Sequence, residues 1–433
     1  MKKNGFTLVE ITVCVVLLVT IFLLVVPKVN TMINNKKKNA YNSLISTVKD
    51  AAQAYVYLNV NIVDDAIESQ GYYEVSIRTL QENELLENKL ENPLTGKNIP
   101  STSIVKIIKN NEEYIYKFSL DYQYLLEHII DLYSSEETRI SNGLKKDNTP
   151  DQNIRYYGSD PNNYVKFNNE LWRIIGVFGD NVKLIRSEKL GNLSWDSSES
   201  SINYGWGVNQ WGESTYADGT PYEGADLMQY LNKMYYGGTS ITCYGGSKNS
   251  TTTCPTNTID ETAKTLIDNY TWNTGAPNYN ELYDSTTKTL DTVEIYKAER
   301  GTVNGKICSS GTYCNDTVTR TTKWTGYIAL PYVTDWAYAS SENDCNTKID
   351  QSSTYKCKNN NWMQRSDDTW YLSPLAHSGD ADVVWNVLGV GYASNFSAST
   401  SIGVAPAIYL KSNVLIESGK GTSSSPYILK AGS

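Results

Sequence analysis

The longest apolar run lies near the start of the chain. From Phe6 to Val26 only one charged residue, Glu10, interrupts it. About 20 such residues rising ~1.5 Å each match a hydrocarbon core of about 30 Å, so the run predicts a transmembrane helix over 6–26. Beyond Pro27, Val29, Ile33, Ala40, Leu44, Val48, Ala51, Tyr55 and Leu58 recur at helical spacing, which predicts that one helix continues to residue 58. The period then changes to two. Ile104 to Ile108 and Tyr114 to Phe118 predict a hairpin, preceded by a turn at Asn92-Pro93-Leu94-Thr95-Gly96-Lys97. Leu120 to Leu132 has a helical pattern, and Ser134 to Asn153, rich in Ser, Asn, Asp and Lys, has the composition of a linker. Tyr164–Phe167, Leu171–Val177 and Val182–Ile185, separated by Asn168-Asn169 and Gly179-Asp180-Asn181, predict two tight hairpins. Gly224 to Tyr235 predicts a helix with Leu227, Met228, Tyr230, Leu231 and Met234 inward. The expected fold class is therefore α+β: a long N-terminal transmembrane helix packed on a small β-domain, then a larger, mixed, β-rich domain.

Composition adds the character of the surface. The aromatics are 33 Tyr and 10 Trp against 6 Phe, rings with a polar handle that suit half-wet interfaces and twisted sheets. The net charge is −9, yet residues 1–38 carry six Lys against Glu10 alone, so the body is markedly acidic. An acidic body repels phosphate backbones, and no nucleic-acid partner is expected. Neither His128 nor His377 has a second His nearby, so no metal is expected. No acid, base and nucleophile constellation stands out, so we expect no enzyme, no catalytic residue and no cofactor.

Cys14 lies in the apolar run, and the other six cysteines fall as close pairs: Cys243 with Cys254, Cys308 with Cys314, and Cys345 with Cys357. Flanking Gly, Ser, Thr and Asn make each interval suited to a cross-linked loop, although spacing does not select among the connectivities of six cysteines.

A secretory signal peptide has a shorter apolar stretch followed by a small-residue cleavage site, whereas here the glycine precedes the run. Glu10 in an apolar helix calls for a partner, and an α-amino group created by cleavage before Phe6 of a neighbouring subunit would supply one. The string Lys2-Lys3-Asn4-Gly5-Phe6-Thr7-Leu8-Val9-Glu10 resembles the leader of type IV pilins and pseudopilins. The resemblance implies a leader at 1–5, cleavage between Gly5 and Phe6 by a prepilin peptidase and N-methylation of Phe6. It also implies assembly with other pilin subunits through Glu10, with Pro27 at the position where many pilins bend. The implied path runs from a single membrane-anchored helix before assembly to an extracellular pilus at the cell surface. The short helix, the Asn-Pro turn and the hairpin are similar to the small β-domain of Gram-positive pseudopilins.

The stretch 154–431 resembles a domain of Firmicutes surface proteins, distantly similar to C-type-lectin-like and formylglycine-generating-enzyme-like folds. The residues that carry this likeness are Leu171-Trp172-Arg173-Ile174-Ile175, Trp324-Thr325-Gly326-Tyr327, Trp370-Tyr371-Leu372-Ser373-Pro374 and Gly403-Val404-Ala405-Pro406-Ala407. The Glu-Pro-Asn or Gln-Pro-Asp signature of calcium-dependent sugar binding is missing, and Trp385-Asn386-Val387 lacks a following Asp. In lectin-like folds the late loops present ligand contacts, which here implies a surface of Asp380, Asp382, Trp385, Asn386, Tyr392, Asn395 and Phe396. The expected organisation is leader 1–5, pilin helix 6–58, small body 59–133, linker 134–153 and surface domain 154–433. The expected function is a minor type IV pilin displaying that domain toward a host or surface glycan or protein. The alternative is a pseudopilin of a type II secretion-like or DNA-uptake pseudopilus.

Overall fold

The computed structural model describes residues 36–433 apart from 38, 94–96, 102, 111–112, 120–123, 198–209, 216–220, 247–248, 278–282, 285–288, 304–305, 308–320, 351–355, 376–382 and 433. The chain forms two units, Met1–Gln123 and Tyr124–Ser433.

In the first unit, helix α1 (residues 39–58) leads into α2 (Val60–Gln70). Gly71 ends α2 at φ 84°, a left-handed conformation that glycine adopts without steric cost, and its N–H donates to Ile67 O at 2.8 Å. Strand β1 (Tyr73–Ser76) follows. Ser76 then caps α3 (Ile77–Glu82) by accepting from the Thr79 N–H. Strands β2 (Ile104–Asn110) and β3 (Glu113–Ser119) form the expected hairpin, and the sheet order is β1–β2–β3, antiparallel throughout. Val48, Ala51, Tyr55 and Val63 on the helices pack with Val75, Leu80, Val105 and Ile107 into one small core.

Two expectations fail here. No helix among the described residues is long and apolar enough to cross a membrane. The segment 6–26 lies outside the described residues, and α1 is amphipathic, with Lys49 and Asp50 beside its buried Val48. The α+β architecture built on a long transmembrane helix is replaced by a β-rich mixed α/β arrangement, and the localisation derived from a membrane-anchoring helix is not supported.

The second unit opens with α4 (Leu125–Ser134), α5 (Glu136–Ser141) and strand β4 (Leu144–Lys146). Residues 134–153 are thus no linker: they contribute a capped helix, a sheet strand and the buried Asp147 and Asn153. Asp147, Thr149 and Asn153 form an internal hydrogen-bond network, while most of the other polar side chains of the stretch face solvent. Next come β5 (Ile154–Tyr156), β6 (Tyr164–Phe167), β7 (Glu170–Phe178) and β8 (Asn181–Arg186). Asn168 and Asn169 both take positive φ, 53° and 56°, as a primed hairpin turn requires and asparagine tolerates. Strand β9 (Asn192–Leu193) follows. The helix expected over 224–235 is a short α6 (Asp226–Gln229) running into a π-helical stretch over Tyr230–Tyr236, with Leu227, Met228, Tyr230 and Leu231 buried as expected.

Then come α7 (Thr292–Glu299), β10 (Ile328–Ala329), α8 (Val333–Ala339), β11 (Thr369–Pro374), β12 (Val383–Val387), β13 (Ala393–Ser397), β14 (Ile402–Gly403), β15 (Ala407–Leu410), β16 (Leu415–Ser418) and β17 (Tyr427–Lys430). The larger sheet runs β10–β15–β8–β7–β6–β17–β16, with β5 also paired to β7 and β4 to β5. The chain's closing strand β17 lies parallel to β6. A second sheet runs β9–β14–β11–β12–β13. Both contribute to one core containing Trp172, Trp195, Trp211, Trp272, Trp336, Trp370 and Trp385. Disulfides join Cys243 to Cys254 and Cys345 to Cys357, with Cα atoms 5.2 and 5.6 Å apart. Cys308 and Cys314 lie outside the described residues.

Candidate functional site

Antiparallel register places Tyr164 of β6 opposite Arg173 of β7, and Arg173 opposite Ile185 of β8, so these three share one row on one face of the larger sheet. Above that row lie the 186–189 turn and the segment 362–369. Between them is a cleft of about 410 Å³ lined by Tyr164, Arg173, Ser187, Lys189, Trp362 and Arg365 among others. Its size falls in the range of small-ligand sites.

The walls are held by arginines. The Arg173 guanidinium lies 3.9 Å from the Tyr164 ring centroid and 4.8 Å from that of Trp362, while its Nε donates to Asn163 Oδ1 at 2.7 Å. Asp160 accepts from the Tyr164 hydroxyl at 2.6 Å and from Arg173 at 3.3 Å, and the Trp362 indole N–H donates to Tyr156 O at 2.9 Å. Burial pushes Arg173 below its ordinary pKa and Tyr164 above its own, the latter helped by Asp160. Four consecutive carbonyls of the turn are occupied by two arginines. Arg365 donates to Arg186 O at 2.7 Å and Ser187 O at 2.5 Å, while Arg186 donates to Glu188 O at 2.6 Å and Lys189 O at 2.9 Å. Arg186 is itself anchored by both carboxylate oxygens of Glu170, at 2.8 and 3.1 Å. The opposite wall leans on Gly389, where a Cβ would stand 2.1 Å from Ser366 O; the Gly389 N–H donates to Asp368 Oδ1 at 2.8 Å.

The charges around the cleft are unequally answered. Lys189 pairs with Asp367, and Arg173 with Asp160. Arg365 has no carboxylate partner among the described residues, and burial lowers its pKa.

A second constellation lies inside the unit. Asp335 on α8 accepts from Arg155 at 2.5 Å, from Lys183 at 2.6 Å and from the Tyr332 N–H at 2.9 Å, and Arg155 also pairs with Asp147 at 2.8 Å. Burial opposes the charge on Arg155, but Asp147 and Asp335 outweigh it and raise its pKa; Asp335 is held low by Lys183 and Arg155 against the same penalty. Burial brings Lys183 down to about 8 and raises Glu299, which accepts from the Thr334 hydroxyl at 2.6 Å, to about 7. Such perturbed values also mark active sites. Here the four ion-pair members and Glu299 are almost completely buried, and none of them lines the cleft, so the network acts as an ionic core.

The described residues of the expected ligand surface differ in exposure. Trp385 and Asn386 lie in β12, paired on both sides with β11 and β13, and are 1% and 0% exposed. The Trp385 indole donates to Pro277 O at 3.2 Å, and neither side-chain polar atom of Asn386 has a hydrogen-bond partner among the described residues. Tyr392, Asn395 and Phe396 are half-buried, the last two on the edge strand β13, while Asp380 and Asp382 lie outside the described residues. Sequence reasoning missed the cleft altogether. Its one local signal is Arg173 between Trp172 and Ile174, a charge inside an otherwise apolar strand. Among the described residues no group of three His, Cys, Asp or Glu side chains could hold a metal ion. Comparison with known protein families, with curated proteins and with solved structures finds no match.

Proposed function

We propose that the protein is a minor subunit of a type IV pilin-like filament, a structural and binding component in which the N-terminal segment supplies assembly and the second unit supplies adhesion or recognition. The observation that carries this reading is the string Lys2-Lys3-Asn4-Gly5-Phe6-Thr7-Leu8-Val9-Glu10. A basic leader, a glycine before the cut and a carboxylate placed to meet the new amine of a neighbour form one chemical device. The second unit suits display because it has its own hydrophobic core, two local disulfides and a preformed cleft. Its size crowds a helical array of subunits, which favours a sparse position over the major one.

Filaments from the producing cells test this. Mass spectrometry should find the chain starting at a methylated Phe6, and Glu10→Leu should lower incorporation severalfold while the amount of folded protein is unchanged. An intact Met1 in filaments, or normal incorporation of Glu10→Leu, refutes the assembly device.

A further inference from the structure

We infer that the cleft between the Tyr164–Arg173–Ile185 row and the segment 362–369 binds a sugar acid, with the carboxylate on Arg365. This rests on the reading of the second unit as a recognition domain. A guanidinium has five N–H donors, and Arg365 commits one from each terminal nitrogen to the carbonyls of Arg186 and Ser187. The remaining donors belong to a side chain that lines the cleft and is fixed in place, so little ordering entropy is lost when a carboxylate arrives. Glu188 and Asp367 favour the Arg365 charge from a distance without outweighing burial, and no carboxylate among the described residues pairs with it directly, so an anionic ligand group supplies that contact.

The rest of the lining selects among anions. Glu188 and Asp367 stand in the same cleft, and both are exposed. They repel a polyanion such as phosphate but accept hydrogen bonds from hydroxyls, so the cleft matches one carboxylate on a polyhydroxylated body. Trp362 and Tyr164 line the same cleft with Arg173 against a face of each ring, and they add the aromatic surface that the C–H groups of a pyranose would meet. Ser366 and Thr369 supply small hydroxyl partners at the same wall.

The test is calorimetric titration of the full-length protein with D-glucuronate, with glucose, acetate, inorganic phosphate and alanine as separate arms. Glucuronate should bind saturably, at least about tenfold more tightly than glucose or acetate, and less tightly as salt is raised. Ser366→Trp, which fills the cleft from an exposed position without touching the arginine contacts, should abolish binding and leave the unfolding transition unchanged. Arg365→Lys should keep the charge, lose the paired donors and weaken binding about tenfold or more. Equal binding of glucose and glucuronate overturns the role of Arg365, and acetate as tight as glucuronate overturns the role of the ring. Phosphate or alanine binding more tightly than glucuronate, no binding at millimolar ligand, or full binding by Ser366→Trp overturns the assignment. All of these are read on isolated protein, so their failure is distinct from failure of filament incorporation.

Discussion

Asp335→Asn is the most informative single perturbation of the second unit. The carboxylate accepts from Arg155 and Lys183, and its own helix is capped through the Tyr332 N–H, all in the interior. Asparagine keeps the shape and removes the charge. Arg155 retains Asp147, whereas Lys183 has no other ion-pair partner among the described residues. Removing one member of a buried pair costs about 3 to 5 kcal/mol. An independent ceiling comes from neutralising the stranded lysine at pH 7 from its ordinary value of 10.5, about 5 kcal/mol at ~1.4 kcal/mol per pH unit. For a unit of about 310 residues, with an unfolding entropy of roughly 2.1 cal/mol/K per residue, that corresponds to a fall of about 5 to 8 °C in Tm. All ten tryptophans lie at or beyond Trp172, so tryptophan fluorescence during urea unfolding of the full-length protein reports this unit alone. Adding Lys183→Met to Asp335→Asn removes the stranded cation and should recover a substantial part of the loss. A loss below about 1 kcal/mol, or a double variant no better than Asp335→Asn, refutes the claim that the network is a tightly coupled ionic core.

Three further outcomes can be checked in the same assay. Glu299 has a folded pKa of about 7, raised from 4.5 chiefly by burial, so its contribution is fully present below pH 4.5 and lost as pH rises through 7. Stability of the native protein relative to Glu299→Gln should therefore fall by about 3 kcal/mol between those limits, and a rise over that window contradicts the assignment. Replacing either described disulfide pair by serines, Cys243 with Cys254 or Cys345 with Cys357, should cost about 3 kcal/mol, since each closes a loop with a sequence separation of 11 or 12; no change in the urea midpoint refutes it. Trp385→Ala should destabilise the unit by about 3 to 5 kcal/mol, as a cavity in the second sheet, whereas Phe396→Ala on the half-buried edge strand should cost less. Equal and small losses would return Trp385 to the surface.

The features legible in the sequence are those encoded over a few consecutive residues. The β6–β7–β8 meander follows from apolar stretches joined by Asn168-Asn169 and Gly179-Asp180-Asn181, because a turn with positive φ selects asparagine and glycine locally. The buried stripe of α1 follows from helical spacing, and the Cys243–Cys254 and Cys345–Cys357 pairings join near neighbours in the chain. The leader string is local in the same sense, since its chemistry resides in nine consecutive residues.

What only the tertiary structure decided involves residues far apart, or strands covered on both faces. Lys183 follows Val182 in a run that alternation alone would turn toward solvent, yet β8 is paired on both sides and its lysine meets Asp335 from a helix about 150 residues away. Trp385 and Asn386 have the composition of an exposed binding loop, but they lie in β12 at the centre of the second sheet, whose packing against the core leaves both buried. Residues 134–153 have the composition of a linker because most of their polar side chains face solvent, and only the packing of the unit shows that Asp147 among them is buried against Arg155. The cleft brings Tyr164 and Arg173 to Trp362 and Arg365, nearly 200 residues later. Sequence periodicity reports which face of one element is apolar, whereas a site of this kind depends on which elements meet, and that is settled by packing of the whole core.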